Sequence, residues 1–419
     1  MVFLYNVGLL LYWAGVHVGA LVHPKARKLV CGHCGALRKL KQAMSRRGQR
    51  KVAWFHCASL GEFEQGRPLI EALRRRRPDT FVLLTFFSPS GYEVHRRYAA
   101  ADYVCYLPID LWWVARRFVQ LAAPDIAVFV KYEFWYNYLS RLHRQGVKTY
   151  IVSAIFREQQ AFFDQLYGKF FVRMLSFCEH IFVQNSDSLD LLDSVGVSNA
   201  SCAGDTRFDR VIEVAATANA LPQLAAFAAP DALTLVAGST WPPDEAMLAE
   251  LVDKIPRLKL IVAPHEVSEG RAISLCAKLG KPALLYSQWQ QNREINLAGY
   301  RVFVVDAVGF LSSLYRFGAL AYVGGGFGAG IHNILEAAVF GIPVIFGSRY
   351  KKFCEATDLV RLGGAFSVAS AAELLSVVDM LCNNRQRCEQ SGNTCRTYVQ
   401  HHKGATGIIM SSLDKSIAT

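Results

Sequence analysis

Two short segments put a carboxylate where an apolar run gives way to an amphipathic one. The first reads His56-Cys57-Ala58-Ser59-Leu60-Gly61-Glu62. Glu62 falls in the first turn of a helix, at the carboxyl end of a strand. A carboxylate there can take the proton of an attacking alcohol. The same spacing writes a capping box, with Ser59 as N-cap and Glu62 three residues on. On spacing alone the capping box is ahead. The second segment is Lys131-Tyr132-Glu133-Phe134-Trp135. Glu133 is either an acid of the site or the ion-pair partner of Lys131, and the two readings are even.

Weaker signals sit at other strand ends. In Gly204-Asp205-Thr206-Arg207-Phe208-Asp209, Arg207 could reach a phosphate leaving group, although a surface turn alone explains it better. Ser239 and Thr240 end one apolar run, and Pro264 and His265 end the next. Small and hydroxylated residues there let a backbone approach a phosphorylated ligand. The densest signal is the stretch 321–346, AYVGGGFGAGIHNILEAAVFGIPVIF. Gly324, Gly325, Gly326, Gly328 and Gly330 follow a strand. A helix is expected from His332-Asn333, with Glu336 one turn in. Glycine amides and a helix N-terminus are the usual cradle of a phosphate, and the carboxylate could accept from ribose hydroxyls.

Strands and helices alternate around these segments. Strands are expected at Val52–Ala58, Phe81–Phe87, Tyr103–Leu107, Ile126–Lys131, Thr149–Ala154 and His180–Gln184. After an Ala-rich lapse at Val214–Ala232 they resume at Leu233–Ala237, Leu258–Ala263, Ala283–Tyr286, Val302–Val305, Leu320–Val323 and Ile342–Phe346. This rhythm implies parallel sheets covered on both faces. The expected architecture is α/β, with two doubly wound Rossmann-like domains and a ligand cleft between them. The boundaries are 23–213 for the first domain, 214–232 for a linker that could hinge, and 233–419 for the second.

Residues 1–22 form a separate module. Val2 to Val22 contains no Lys, Arg, Asp or Glu, and a basic flank from Lys25 to Lys51 follows. Such a run is about the length that crosses a bilayer, and the positive-inside rule puts the body of the protein in the cytoplasm. A signal peptide would need a basic leader and a small-residue cleavage site, and is disfavoured. A helix lying in the interface and a buried core helix are the other readings. The net charge of +12 and 52% hydrophobic residues suit an anionic membrane partner. No nucleic-acid motif accompanies the charge, so nucleic acid is disfavoured. Most of the eleven cysteines lie in apolar runs, as in a reduced cytosolic protein. Cys31-Gly32-His33-Cys34 lacks a second ligand pair at metal spacing.

As an ordered set, Ser59-x-Gly61-Glu62, Glu133-x-Trp135, Gly204-x-x-x-Phe208-Asp209, Ser239-Thr240 and Gly324-Gly325 with His332-Asn333-x-x-Glu336 resemble the 3-deoxy-D-manno-octulosonate (Kdo) transferases of lipopolysaccharide synthesis. The resemblance runs from the apolar N-terminus to about residue 400. It implies the GT-B fold and inverting transfer of Kdo from CMP-Kdo to a lipid A precursor, without a metal or other cofactor. It implies Glu62 as general base, with Glu133 and Arg207 supporting the transition state. Arg207 stands where relatives usually have Lys. It further implies CMP contacts from Pro264 and His265, from Val308, Gly309 and Phe310, and from Asn333, Ile334, Leu335 and Glu336. The implied partners are CMP-Kdo, the lipid A precursor and inner-membrane phospholipid.

Three departures touch the donor side. Relatives often carry Pro-Arg-His at Pro264-His265-Glu266, so another cation or His265 must meet the phosphate. Trp241 follows Ser239-Thr240 where many relatives have His, and Phe310 replaces an acid. The rivals are a GT-B enzyme using a UDP-sugar on a membrane lipid, and a non-catalytic, membrane-tethered nucleotide-binding protein.

Overall fold

A computed structural model describes residues 1–217, 224–228, 233–280 and 282–418. The chain divides into two compact units. One is Met1–Arg210 with Lys403–Thr419, and the other is Val211–His402.

The first unit opens with three helices, α1 (Val2–Gly19), α2 (Pro24–His33) and α3 (Ala36–Met44). Its sheet contains β1 (Val52–His56), β2 (Phe81–Phe86), β3 (Tyr103–Tyr106), β4 (Ile126–Val130), β5 (Lys148–Ala154), β6 (His180–Val183) and β7 (Ala200–Cys202). The spatial order is β3-β2-β1-β4-β5-β6-β7, all parallel. Parallel strands need crossovers, and helices supply them on both faces. Among these is α4 (Leu60–Arg76), directly after β1. β1 and β4 are neighbours, so the segments carrying Glu62 and Glu133 leave the sheet side by side.

The last helix, Ala405–Ala418, belongs to this unit. The sequence assigned it to the second domain. Its Ile409, Met410, Leu413 and Ile417 are buried with Ala53, Phe55 and Leu69 of β1 and α4. Burying each such side chain contributes about 1.5–3 kcal/mol, enough to hold the chain terminus to a distant sheet. Asp209 accepts from the Gly404 and Thr406 amides at 2.6 and 2.7 Å and so caps that helix.

The second unit repeats the plan with β8 (Leu233–Thr240), β9 (Leu258–Pro264), β10 (Ala283–Leu285), β11 (Val302–Val304), β12 (Leu320–Val323), β13 (Val344–Gly347) and β14 (Ala365–Val368). Their order is β10-β11-β9-β8-β12-β13-β14, again all parallel. Of the expected linker, 214–217 end the Thr206–Thr217 helix and Leu224–Phe227 is a short helix. The rest of it, 218–223 and 229–232, lies outside the described residues.

α1 is long and apolar enough to cross a membrane, and none of its residues is buried. One side meets the unit. The Tyr5 hydroxyl donates to Asp110 at 2.7 Å, and the Asn137 side chain donates to Asn6 at 3.1 Å. The other side leaves Phe3, Leu4 and Leu11 exposed.

Candidate active site

In the first unit, α4 starts at Leu60 with Ser59 at its N-cap position. The expected capping box does not form, because the Ser59 hydroxyl makes no bond to the helix amides. It donates to the Glu62 carboxylate instead. Glu62 is half-buried and Gly61 is exposed, so the first turn of α4 is accessible around the carboxylate.

Glu133 hangs from the loop after β4, which turns through a left-handed Lys131 with φ of 62°. Trp135 Nε1 donates to Glu133 Oε2 at 2.6 Å, and His56 Nε2 faces the same oxygen at 3.3 Å. His56 is fully buried, and its Nδ1 lies 2.9 Å from Thr85 Oγ1. A buried imidazole braced on one side thus fixes the carboxylate on the other. Burial pushes the Cys57 thiol well up, and the nearby Glu62, Glu133 and Glu64 carboxylates push it further. The carboxylates singled out from two distant segments therefore share one neighbourhood.

Arg207 opens the Thr206–Thr217 helix. Its Nε and Nη2 reach Asp205 Oδ2 at 2.9 and 2.8 Å, and its amide donates to Asp205 Oδ1 at 2.9 Å. Gln65, three residues past Glu62 on α4, donates to Asp205 at 3.0 Å. Burial alone would raise the Asp205 carboxyl, but the Arg207 guanidinium, its amide and Gln65 hold it below the usual range. This is not a loose surface turn. The network ties the cation to the helix that carries Glu62.

In the second unit, β8 ends at Ser239, in the left-handed region with φ of 52°, and Thr240. The His265 amide, just past Pro264, donates to the Thr240 carbonyl at 3.0 Å. The His265 ring packs against both Trp241 and His332, with ring centroids 4.7 and 4.4 Å away. Trp241 Nε1 donates to His332 Nε2 at 3.1 Å. Burial and the neighbouring His265 depress His332 to about 4, so its ring is neutral near pH 7.

The glycine loop differs from the expected phosphate cradle. The amides of Gly324, Gly325, Gly328 and Gly330 all bond internally, to the Gly238 carbonyl, to Asp244 and to the Gly325 carbonyl. The helix after the loop is a single turn, Leu335–Ala338, where a longer one was expected from His332. The glycines answer to crowding instead. A Cβ on Gly324 would strike Ser239 and Thr240 of β8, and one on Gly326 would strike Gly347 of β13. Asp244, which also accepts from the Trp241 amide at 2.8 Å and Tyr322 Oη at 2.7 Å, pins the loop to the helix Pro242–Lys254.

Glu336 accepts from Asn333 Nδ2 at 3.2 Å and Ser312 Oγ at 2.7 Å. The Asn333–Glu336 segment, with Ile334 and Leu335 buried, is thereby joined to the Leu311–Leu314 helix that follows Val308, Gly309 and Phe310. Val308 is exposed and Phe310 packs on Tyr286 at 5.2 Å.

Sequence reasoning missed several polar groups here. Arg271 reaches Glu245 at 2.8 Å, and the Thr240 hydroxyl donates to the same Glu245 oxygen at 3.3 Å. Arg349 and Lys352 donate to the Gly328 and Ala329 carbonyls at 2.7 and 2.5 Å. These cations stand beside a loop whose partner cation had seemed absent. The signal available was a cluster of basic residues, Arg349, Lys351 and Lys352, directly after a strand. His33 of the cysteine motif stitches α2 down, its Nε2 lying 2.7 Å from the Leu107 carbonyl. Among the described residues no cluster of three His, Cys, Asp or Glu is placed to hold a metal.

Residues 35–210 match the family model described as 3-deoxy-D-manno-octulosonic-acid transferase. Curated relatives named 3-deoxy-D-manno-octulosonic acid transferase align over most of the chain. The Chlamydophila psittaci protein is 25% identical over 348 residues, covering 80% of this chain and 78% of its own. The Haemophilus influenzae protein is 24% identical over 365 residues, covering 84% of each. Among solved structures, the UDP-GlcNAc 2-epimerase of Neisseria meningitidis superposes with a TM-score of 0.60 at 14% identity, covering 87% of this chain and 100% of that one. MurG of Acinetobacter baumannii gives 0.55 at 12% identity, covering 87% and 99%. These two likenesses bear on the fold, which is GT-B. The resemblance to the Kdo transferases holds across both units.

Proposed function

We infer that this chain, a glycosyltransferase akin to the Kdo transferases, moves Kdo from CMP-Kdo to a lipid A precursor such as lipid IVA, with inversion and without a metal. The observation that carries the reading is the Ser59–Glu62 pair. A helix-start carboxylate is held by a hydroxyl just past β1, the strand whose His56 meets Glu133, inside the residues matched by the family model. In the proposed step Glu62 takes the proton of the acceptor hydroxyl. The oxygen then forms a bond to the anomeric carbon, and the carbon–oxygen bond to the CMP phosphate breaks with its electron pair leaving on CMP. Glu133 supports positive character at the anomeric carbon, and Arg207 meets negative charge on the leaving side.

We assign donor binding to the second unit, through Ser239, Thr240, Pro264, His265, the Val308–Phe310 loop, Gly324 to Gly326 and Asn333 to Glu336. In this reading Glu336 accepts from the ribose hydroxyls. α1 would anchor the enzyme at the cytoplasmic face of the bacterial inner membrane, where the acceptor lipid is made accessible. Incubation with radiolabelled CMP-Kdo and lipid A precursor, followed by product mass analysis, tests the reading. Transfer that persists in chelator supports it. No product, together with turnover of a UDP-sugar, would replace it with a different GT-B activity.

A further inference from the structure

A second cationic site lies on the first unit, and neither Glu62 nor Glu133 lines it. A cavity of about 380 Å³ opens between the helices Trp112–Ala122 and Tyr136–Arg144 and the first turn of α1. Arg116 sits one turn after Trp112 on one helix, and Arg141 and Arg144 share a face of the other. All three arginines line the same space, and no Asp or Glu lines it with them. Like charges converge there without a carboxylate to neutralise them. Arg141 Nε is buried with no hydrogen-bond partner. Asp110, the acid nearby in sequence, is engaged by Tyr5 Oη and by the amides of Asn137 and Tyr138.

The rim is apolar in a particular way. Trp112 and Val2 line the cavity; Trp112 is 58% exposed and meets the ring of Trp113, itself 45% exposed, and Phe3, next to Val2 on the unburied α1, is exposed as well. Exposed tryptophans next to an apolar helix are what a bilayer interface selects. Arginine forks at that depth match a phosphodiester. We propose that this pocket binds the phosphate headgroup of an anionic glycerophospholipid, fixing α1 and the first unit against the bilayer. It is a dedicated lipid site and not merely diffuse attraction of the net charge. The inference does not depend on which sugar the enzyme transfers.

The full chain, held in a nonionic detergent, is titrated by calorimetry with short-chain phosphatidylglycerol, phosphatidylcholine and inorganic phosphate in parallel. Saturable binding of phosphatidylglycerol is expected, at least tenfold tighter than either of the others. The combined change Arg116→Gln, Arg141→Gln and Arg144→Gln should weaken it on the order of a hundredfold. A control of equal charge, Arg361→Gln, Arg385→Gln and Arg387→Gln, should leave it within about twofold of the parent, since these residues do not line the cavity and screened exposed charges contribute little. If the triple variant fails to fold, Arg144→Glu alone, at an exposed position, carries the test. Equal affinity for phosphatidylcholine, undiminished binding by the triple variant, or equal loss in the control would each overturn the proposal. Tight binding of inorganic phosphate would make it a free-anion site. Displacement of phosphatidylglycerol by the acceptor lipid, with a raised acceptor KM in the triple variant, would make it part of the acceptor site instead.

Discussion

The hydroxyl of Ser59 donates to the carboxylate of Glu62, three residues along α4, and not to the amides of the helix it begins. This inverts the ordinary use of a serine at that position. The helix keeps its orphan amides, and the carboxylate acquires a fixed orientation at an accessible first turn. A residue pair that spacing alone assigned to stability is, in the fold, arranged around a proton acceptor.

If that arrangement is catalytic, Glu62→Gln should lower the rate of Kdo transfer by about 10²–10⁴-fold while CMP affinity stays unchanged. Ser59→Ala should cost about tenfold in rate. It should cost well under the ~1 kcal/mol typical of a lost N-cap, because no cap bond exists to lose. Steady-state kinetics with urea denaturation of both variants separate the effects. Full stability loss with unchanged kinetics in Ser59→Ala would return the pair to a capping box.

Arg207 gives a prediction on the acid side. Its guanidinium and amide hold the buried Asp205 below the ordinary carboxylate range. A depressed folded pKa means stability that is present above the unfolded pKa and lost as pH falls through the folded one. Arg207→Gln should therefore destabilise by about 1–3 kcal/mol at neutral pH, since a buried charge loses its partner. It should also flatten the acid limb of the stability profile. Arg207→Lys should recover only part of this, because an ammonium cannot make the two-nitrogen contact to Oδ2. Denaturation midpoints at several pH values check it, and identical profiles for parent and Gln variant would refute it.

The same relationships show where sequence reading reached and where it stopped. Strands such as Phe81–Phe86 and Leu258–Pro264 were legible because parallel strands buried on both faces must be continuously apolar. β7, three residues reading Ala-Ser-Cys, and the edge strand β14 carry too little apolar signal to be seen. The Glu62 and Glu133 segments were identifiable as strand ends, but not their meeting, which depends on β1 lying beside β4. Asp205 with Gln65, and Glu133 with His56, join segments 140 and 77 residues apart. No local period encodes such pairs. The glycine loop was conspicuous for its composition, yet Gly324 and Gly326 answer to close backbone packing against β8 and β13, and the amides of Gly324, Gly325, Gly328 and Gly330 are already bonded within the unit.

Asp110 predicts an opposite pH effect. It is fully buried, and burial pushes its carboxyl up to about 7 even though Tyr5 and two amides pull it down. A raised folded pKa means the folded state holds a proton that the unfolded chain releases near its ordinary 3.8. Stability is full below that value and falls as pH rises toward 7, by up to about 1.4 kcal/mol per unit. Asp110→Asn should remove this slope. Thermal melts between these limits, on the detergent-held full chain, decide it, and an unchanged slope in the Asn variant would assign the titration elsewhere.

The stacked rings at the end of β8 supply the last test. Trp241 Nε1–H donates to His332 Nε2, so the neutral imidazole carries its own proton on Nδ1. That leaves an uncharged N–H donor at the start of the segment proposed to hold CMP. Trp241→Phe would keep a flat ring against His265 but delete the donor that selects the tautomer. The expected outcome is a shift of His332 toward the other tautomer, visible in its ¹⁵N chemical shifts. CMP affinity should fall by about five- to tenfold, the worth of one hydrogen bond. The rate at saturating donor should change little, because this hydrogen bond serves binding and not proton transfer. Unchanged ¹⁵N shifts would show that His265, and not Trp241, sets the state of His332. A collapse of the rate at saturating donor would instead place the ring stack in the chemical step.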